Sequence, residues 1–233
     1  MSGLIEDSAP IRQHDDDGGT ITLDTVPLTA FEPDSTPRGG IVVLHEARTL
    51  PSALVEFMGS LAADGWMVAA PHLFHRATSD EEVFGSSLFE DFDATFSWLV
   101  ERGIYPDCIG VIGFDDAGTA AALVATDRAV GAAVSVAAPG IIEPLTPDAR
   151  ALVEAAASLK APWLGLYGSD DERTPVDQVE RLQEAVAKAP VATLVVSYAG
   201  VEHRADEDSA SAGEDALLDA QRRIFDWFDS HLR

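Results

Sequence analysis

Lysine is almost missing from this chain. Lys160 and Lys188 are its only two, and lysine plus arginine number 15 against 40 acidic residues. The formal charge of −25 over 233 residues leaves no basic footprint, which argues against nucleic acid or an anionic membrane surface as a partner. The plain reading is an acidic, well-hydrated surface that favours solubility. Cysteine is as scarce. Cys108 stands alone, so no disulfide can form within the chain, and its place at the head of an apolar run predicts a small buried side chain. No apolar stretch nears the roughly 20 residues that span a bilayer. Residues 1–20 are polar and acidic, without the basic start or apolar core of a signal peptide. The expectation is a cytoplasmic protein of one domain, 1–233, with a polar N-terminal segment over 1–20. A hydrophobic content of 46% is enough for one sizeable core at this length.

What is present is a regular alternation of strand-like and helix-like runs. Ile41–Leu44, Trp66–Ala70, Ile109–Phe114, Ala132–Ala137 and Trp163–Tyr167 are continuous apolar runs, the pattern of strands buried on both faces of a parallel sheet. Ala192–Tyr198 reads as the last strand, and Ile21–Ala30 alternates as an edge strand would. Between them lie helical periodicities. Ser52–Asp64 puts Leu54, Phe57, Met58 and Leu61 on one face, and Leu88–Arg102 does the same with Phe89, Phe92, Phe96 and Leu99. Shorter helices are expected over Thr119–Ala125 and Ala149–Leu159, and longer ones over Val176–Lys188 and Ala216–Leu232. Repeated β-α-β units of this length predict an α/β fold with a doubly wound, mostly parallel sheet. No insertion is long enough for a cap domain, although Pro139–Asp148 could form a short flap.

One stretch carries chemistry in its spacing. Gly113-Phe114-Asp115-Asp116-Ala117-Gly118 joins an apolar strand to an alanine-rich helix. Such a turn is the nucleophile elbow of α/β-hydrolases, where the central residue stands free above the sheet and small residues let strand and helix nearly touch. In open α/β sheets, sites form outside the carboxyl ends of the strands. The polar residues there are His45 and Glu46, then His72, then Asp115 and Asp116, then Asp170 and Asp171, with His203 beyond the last strand. Nucleophile position, acid and histidine follow one another in the α/β-hydrolase order.

These stretches together resemble the dienelactone hydrolase family from about Ile41 to the C-terminus. Gly40–Glu46 resembles the family's apolar strand ending in glutamate. Leu61–Phe74 is similar to its LA-x-x-G-Y-x-V-x-x-P-D-L-Y run, and Gly113–Gly118 to its G-F-C-x-G-G elbow. Gly168–Pro175 and Tyr198–His203 are similar to its G-x-x-D-x-x-V-P and Y-x-G-x-x-H segments. The resemblance implies an α/β-hydrolase fold without a cap, no cofactor, a small ester, lactone or related electrophile as substrate, and a monomer or homodimer. It places Asp115 at the nucleophile, Asp171 as the acid (with Asp170 its rival) and His203 as the base. It also makes Glu46 the glutamate that contacts the nucleophile, and the N–H groups of Asp116 and Ala47 the oxyanion hole.

The chain departs from that pattern at the nucleophile, which is Asp115 and not cysteine. In haloalkane dehalogenases and epoxide hydrolases an aspartate at this place attacks a saturated carbon, assisted by an electrophilic group. The sequence offers no such helper, since Asp116 rather than tryptophan follows Asp115. Glu46 and Asp115 should also lie close, so one of their pKa values should rise, and a shared proton would leave a site that binds without turning over. The alternative function is therefore a pseudo-hydrolase that binds a small ligand or a protein partner. His45, Glu46, His72, His75, Asp115 and His203 include metal-ligand types, but no short His-x-x-x-His or cysteine pair marks a preformed site. Gly110 and Gly113 do not make a dinucleotide fingerprint. Phe74, Phe84 and Trp163 are candidates for an apolar pocket lining.

Overall fold

The computed structural model describes residues 3–14, 20–76, 84–204 and 214–232. Within them one eight-stranded sheet has the order β1-β2-β4-β3-β5-β6-β7-β8. The strands are β1 (Gly3–His14), β2 (Thr20–Glu32), β3 (Gly39–Leu44), β4 (Trp66–Pro71), β5 (Ile109–Phe114), β6 (Ala132–Val136), β7 (Trp163–Gly168) and β8 (Thr193–Tyr198). From β4 to β8 every pairing is parallel, while β1–β2 and β2–β4 are antiparallel. Strands β3 to β7 are buried along their whole length, which is why they read as unbroken apolar runs.

Helices cover both faces. On one, α1 (Ser52–Ala63) and α6 (Glu214–His231) bury Met58, Leu61, Ile224 and Phe228 against Ile41, Val43 and Ile112. On the other lie α2 (Ser86–Glu101), α3 (Asp116–Asp127), α4 (Leu152–Ala155) and α5 (Val176–Val186). They contribute Phe92, Leu99, Val124, Val179 and Leu182 to a second core with Val42, Leu44 and Val111. The alternation of inward residues along each strand divides the two cores. The chain reverses its direction across the sheet between β3 and β5, so their carboxyl ends flank a crevice. Glu46 lies just past the end of β3 and Asp115 immediately after β5.

The structure differs from the sequence expectations in five places. Residues 3–14 of the polar N-terminal segment form a strand; residues 1–2 and 15–19 lie outside the described residues. That strand pairs outside β2, so residues 21–30 form the second strand and not the edge. Its polarity has a physical reason. Among its described side chains only Ala9 and Ile11 are buried, while Asp7 accepts a hydrogen bond from Trp98 Nε1 (3.0 Å) on α2 and pairs with Arg102 just past the end of that helix. Arg12 pairs with Glu101 at the same helix. The helix expected over 149–159 is reduced to α4 and a 3₁₀ turn, Ala156–Ser158. The elbow helix starts at Asp116, three residues before the expected Thr119. Cys108 closes the 3₁₀ turn Pro106–Cys108 and is half-buried rather than buried.

Candidate active site

The elbow is built by close approach. A Cβ on Gly113 would lie 2.0 Å from the carbonyl oxygen of Ala117, and one on Gly118 would lie 3.0 Å from that of Gly113. Only glycine at Gly113 lets β5 turn so sharply into α3. Asp115 sits at the apex with φ 57° and ψ −129°, a left-handed conformation that L residues avoid. Its N–H donates to Val136 O (2.9 Å), and its carbonyl accepts from Gly118 N–H (2.8 Å). A second layer fixes α3 from below. Trp163 Nε1 donates to Ser135 Oγ (2.9 Å), which donates in turn to the carbonyl of Gly118 (2.7 Å).

Around Asp115 the structure brings together residues far apart in sequence. His203 Nε2 lies 2.8 Å from Asp115 Oδ1, and His203 Nδ1 lies 2.8 Å from Asp171 Oδ2. The first of these is an ion-pair contact, and Oδ1 is sealed from solvent. Asp171 is buried and also accepts from the N–H of Arg173 (2.8 Å). Its rival Asp170 is exposed and is bonded by Ser169 Oγ. Gly168 allows this arrangement, because a Cβ there would meet the carbonyl of His203 at 2.6 Å.

Two arginines that sequence reasoning missed complete the cluster. Arg173 Nη1 stands 3.5 Å from Asp115 Oδ1 and its Nη2 pairs with Asp116. Arg204 Nη1 stands 3.5 Å from Asp115 Oδ2 and lies over the ring of Phe114 at 4.4 Å. Their signal was positional: one comes two residues after the acid, the other directly after the histidine. Burial pushes the Asp115 carboxyl up, but His203, Arg204 and Arg173 outweigh it and hold the pKa below its ordinary value. The contact with Asp115 raises His203 to about 9, against the opposing effect of burial and with help from Asp171.

The predicted rise among the carboxylates falls on Glu46. Burial, then Asp116 and Asp115, push it up to about 6. Glu46 does not bond the Asp115 side chain. Its Oε1 accepts from the N–H groups of Asp116 and Ala117 at the start of α3. The other N–H assigned to an oxyanion hole, that of Ala47, donates to His45 Nδ1 (3.1 Å). His45 is buried, and burial followed by the nearby His72 lowers it to about 4, so it is neutral near pH 7.

The remaining candidates lie elsewhere. His72 Nε2 meets Thr29 Oγ1 at 2.8 Å, and His75 Nε2 meets Asp91 at 3.2 Å. Among the described residues, no group of three or more His, Cys, Asp or Glu side chains is arranged to hold a metal ion. Trp163 is 1% exposed, serves the elbow from below and lines a small apolar cavity with Leu152, Leu159 and Leu182. Phe84 is buried edge-on against Phe89, whereas Phe74 stacks under Arg48 (4.4 Å) beyond the end of β4. No helix among the described residues is long and apolar enough to cross a membrane.

Comparison with known proteins shows the family and the fold. The model of the dienelactone hydrolase family matches residues 26–232. A carboxymethylenebutenolidase homologue of Yersinia pestis is 24% identical over 226 residues, covering 89% of this chain and 85% of its own. The crystal structure of a dienelactone hydrolase homologue from Klebsiella pneumoniae superposes with a TM-score of 0.79 at 23% identity, over 98% of this chain and 100% of that one. The dienelactone hydrolase from Anabaena variabilis gives 0.73 at 15% identity, over 100% and 99%. At these identities the two structures speak for the fold.

Proposed function

This chain belongs to the dienelactone hydrolase family, and from that premise we propose that it hydrolyses a small ester, lactone or related electrophile. In this reading Asp115 is the nucleophile, His203 the base and Asp171 the group that orients His203. The name of the Yersinia pestis relative also directs the substrate search towards lactones. The observation that carries the reading is the pair of 2.8 Å contacts joining Asp171, His203 and Asp115 at the tip of the elbow.

A carboxylate held ionised needs no base before it attacks, which removes one task from the histidine. Attack joins Asp115 covalently to the substrate and cancels its charge. His203 then loses the contact that holds its pKa near 9 and can take a proton from water when the intermediate must be hydrolysed. Asp171 stays on Nδ1 and fixes the ring. Glu46 acts as a modulator, because its occupancy of the Asp116 and Ala117 N–H groups decides whether they are open to a substrate oxygen.

A specific observation favours a second reading, a pseudo-hydrolase that binds without turnover. Both N–H groups proposed for the oxyanion hole are already taken, by Glu46 and by His45. Hydrolysis of p-nitrophenyl acetate and a panel of small lactones separates the two, with Asp115→Asn, Asp115→Cys and His203→Ala alongside. Turnover by the parent chain that disappears in Asp115→Asn and His203→Ala supports the hydrolase. A parent that is inert while Asp115→Cys gains His203-dependent turnover supports the binding protein.

A further inference from the structure

We propose that Asp115 opens its substrate at a saturated carbon, so that an ester or lactone is cleaved at its alkyl–oxygen bond and a carboxylate departs. This rests on the hydrolase reading above and names the bond that breaks.

Three features of the site point this way. The first is the state of the donors. Attack on a carbonyl carbon puts negative charge on its oxygen and calls for open N–H groups at the elbow. Here Asp116 and Ala117 donate to Glu46, and Ala47 donates to His45. Displacement at a saturated carbon makes no carbonyl oxyanion in its first step. The second is where the cations stand. Arg173 Nη1 lies 3.5 Å from Oδ1 and Arg204 Nη1 lies 3.5 Å from Oδ2, so positive charge flanks the attacking group instead of the elbow N–H groups. They hold Asp115 ionised for the attack, and a departing carboxylate needs no proton. The third is the nucleophile itself. Acyl transfer from an alkyl ester to a weakly basic carboxylate makes an anhydride and is steeply uphill, whereas alkyl transfer makes an ordinary ester.

The atoms balance. Oδ1 is sealed against His203, so Oδ2 is the oxygen that meets the substrate. An Oδ2–carbon bond forms as the alkyl carbon–oxygen bond breaks, and the electron pair leaves on the substrate's own carboxylate. With Asp115 neutralised, His203 releases its proton to solvent. It then takes one proton from a water that attacks Cγ of Asp115, with Oδ1 as the carbonyl oxygen beside Arg173. Collapse expels the alcohol oxygen, which receives that proton from His203. The second water proton passes from the Asp115 carboxyl to His203 and restores the ion pair. The net change is lactone plus water to hydroxycarboxylate plus one proton.

The test uses the full chain with (R)-β-butyrolactone in heavy-oxygen water, with the blank lacking protein subtracted and p-nitrophenyl acetate as an acyl-only probe. The expected product is (S)-3-hydroxybutyrate, inverted once by Asp115. With protein in excess, heavy oxygen appears in the Asp115 peptide and not in the product carboxylate. Arg173→Gln and Arg204→Gln should keep the inversion and slow it about tenfold or more. Retained (R) product with heavy oxygen in its carboxylate overturns the proposal and leaves the hydrolase reading standing. Turnover of p-nitrophenyl acetate alone, dependent on His203, does the same. No turnover of either probe brings down both.

Discussion

At the scale of single residues, the neighbours of Asp115 hold its carboxyl below the ordinary carboxylate pKa in spite of burial. His203, Arg173 and Arg204 converge on one carboxylate, and the strain of its backbone is fixed by the elbow beneath it. Replacing Asp115 by Asn should lower turnover about 10³-fold or more, because the intermediate can no longer form. The same substitution should bring the His203 imidazole down from about 9 towards its ordinary 6.5, read by NMR of the ring protons. An imidazole still titrating near 9 would place the cause elsewhere. The stability effect has a definite sign. The folded pKa of His203 lies above its unfolded value, so the ion pair's contribution is complete below about 6.5 and is lost as pH rises through about 9. Melting temperature across that window should therefore decline more in the parent than in Asp115→Asn. Glu46 gives a second titration at about 6, visible by infrared spectroscopy of its carboxyl and absent in Glu46→Gln. A titration that survives Glu46→Gln would have to belong to another group.

At the scale of elements, the site depends on the joint between β5 and α3. Gly113→Ala forces a Cβ against the Ala117 carbonyl at 2.0 Å, and neither backbone can yield without moving Asp115. Its expected cost is on the order of 3 kcal/mol, measured by denaturant unfolding, together with loss of turnover. Ser135→Ala tests the support beneath. It leaves Trp163 Nε1 without its acceptor and the Gly118 carbonyl without its Ser135 donor in the core, at about 1–3 kcal/mol. An unchanged unfolding midpoint would show that this layer is not what holds α3. The edge of the sheet follows another rule. β1 carries Pro10 and charged residues such as Glu6, Asp7 and Arg12, which suit a strand with one unpaired side. Those residues hid it from a hydropathy reading, while β3 to β7 were plain because no face of theirs is wet.

At the scale of the whole molecule, a formal charge of −25 means the folded surface repels itself. Exposed pairs such as Arg38 with Asp229 offset little of this in water. Melting temperature should therefore rise between low salt and about 1 M sodium chloride, where screening acts within roughly 3 Å. A fall or no change would mean that the surviving ion pairs outweigh the repulsion.

What the sequence determined by itself is the order of elements from β2 onward and the identity of the family. Both are written in local patterns: unbroken apolar runs for buried strands, helical spacing of Phe92 and Leu99, and the small residues that the elbow needs. Asp115, Asp171, His203 and Glu46 could be named because each follows a strand end, and strand ends are local. The burial of Asp171 against the exposure of Asp170, the arrival of Arg173 and Arg204, and the placing of the raised pKa on Glu46 were decided only by tertiary structure. Each depends on which side chain faces the crevice after a loop has turned, and on how much water and charge remain there. Those are properties of groups brought together from residues 46 to 204, and no stretch of the chain holds them alone.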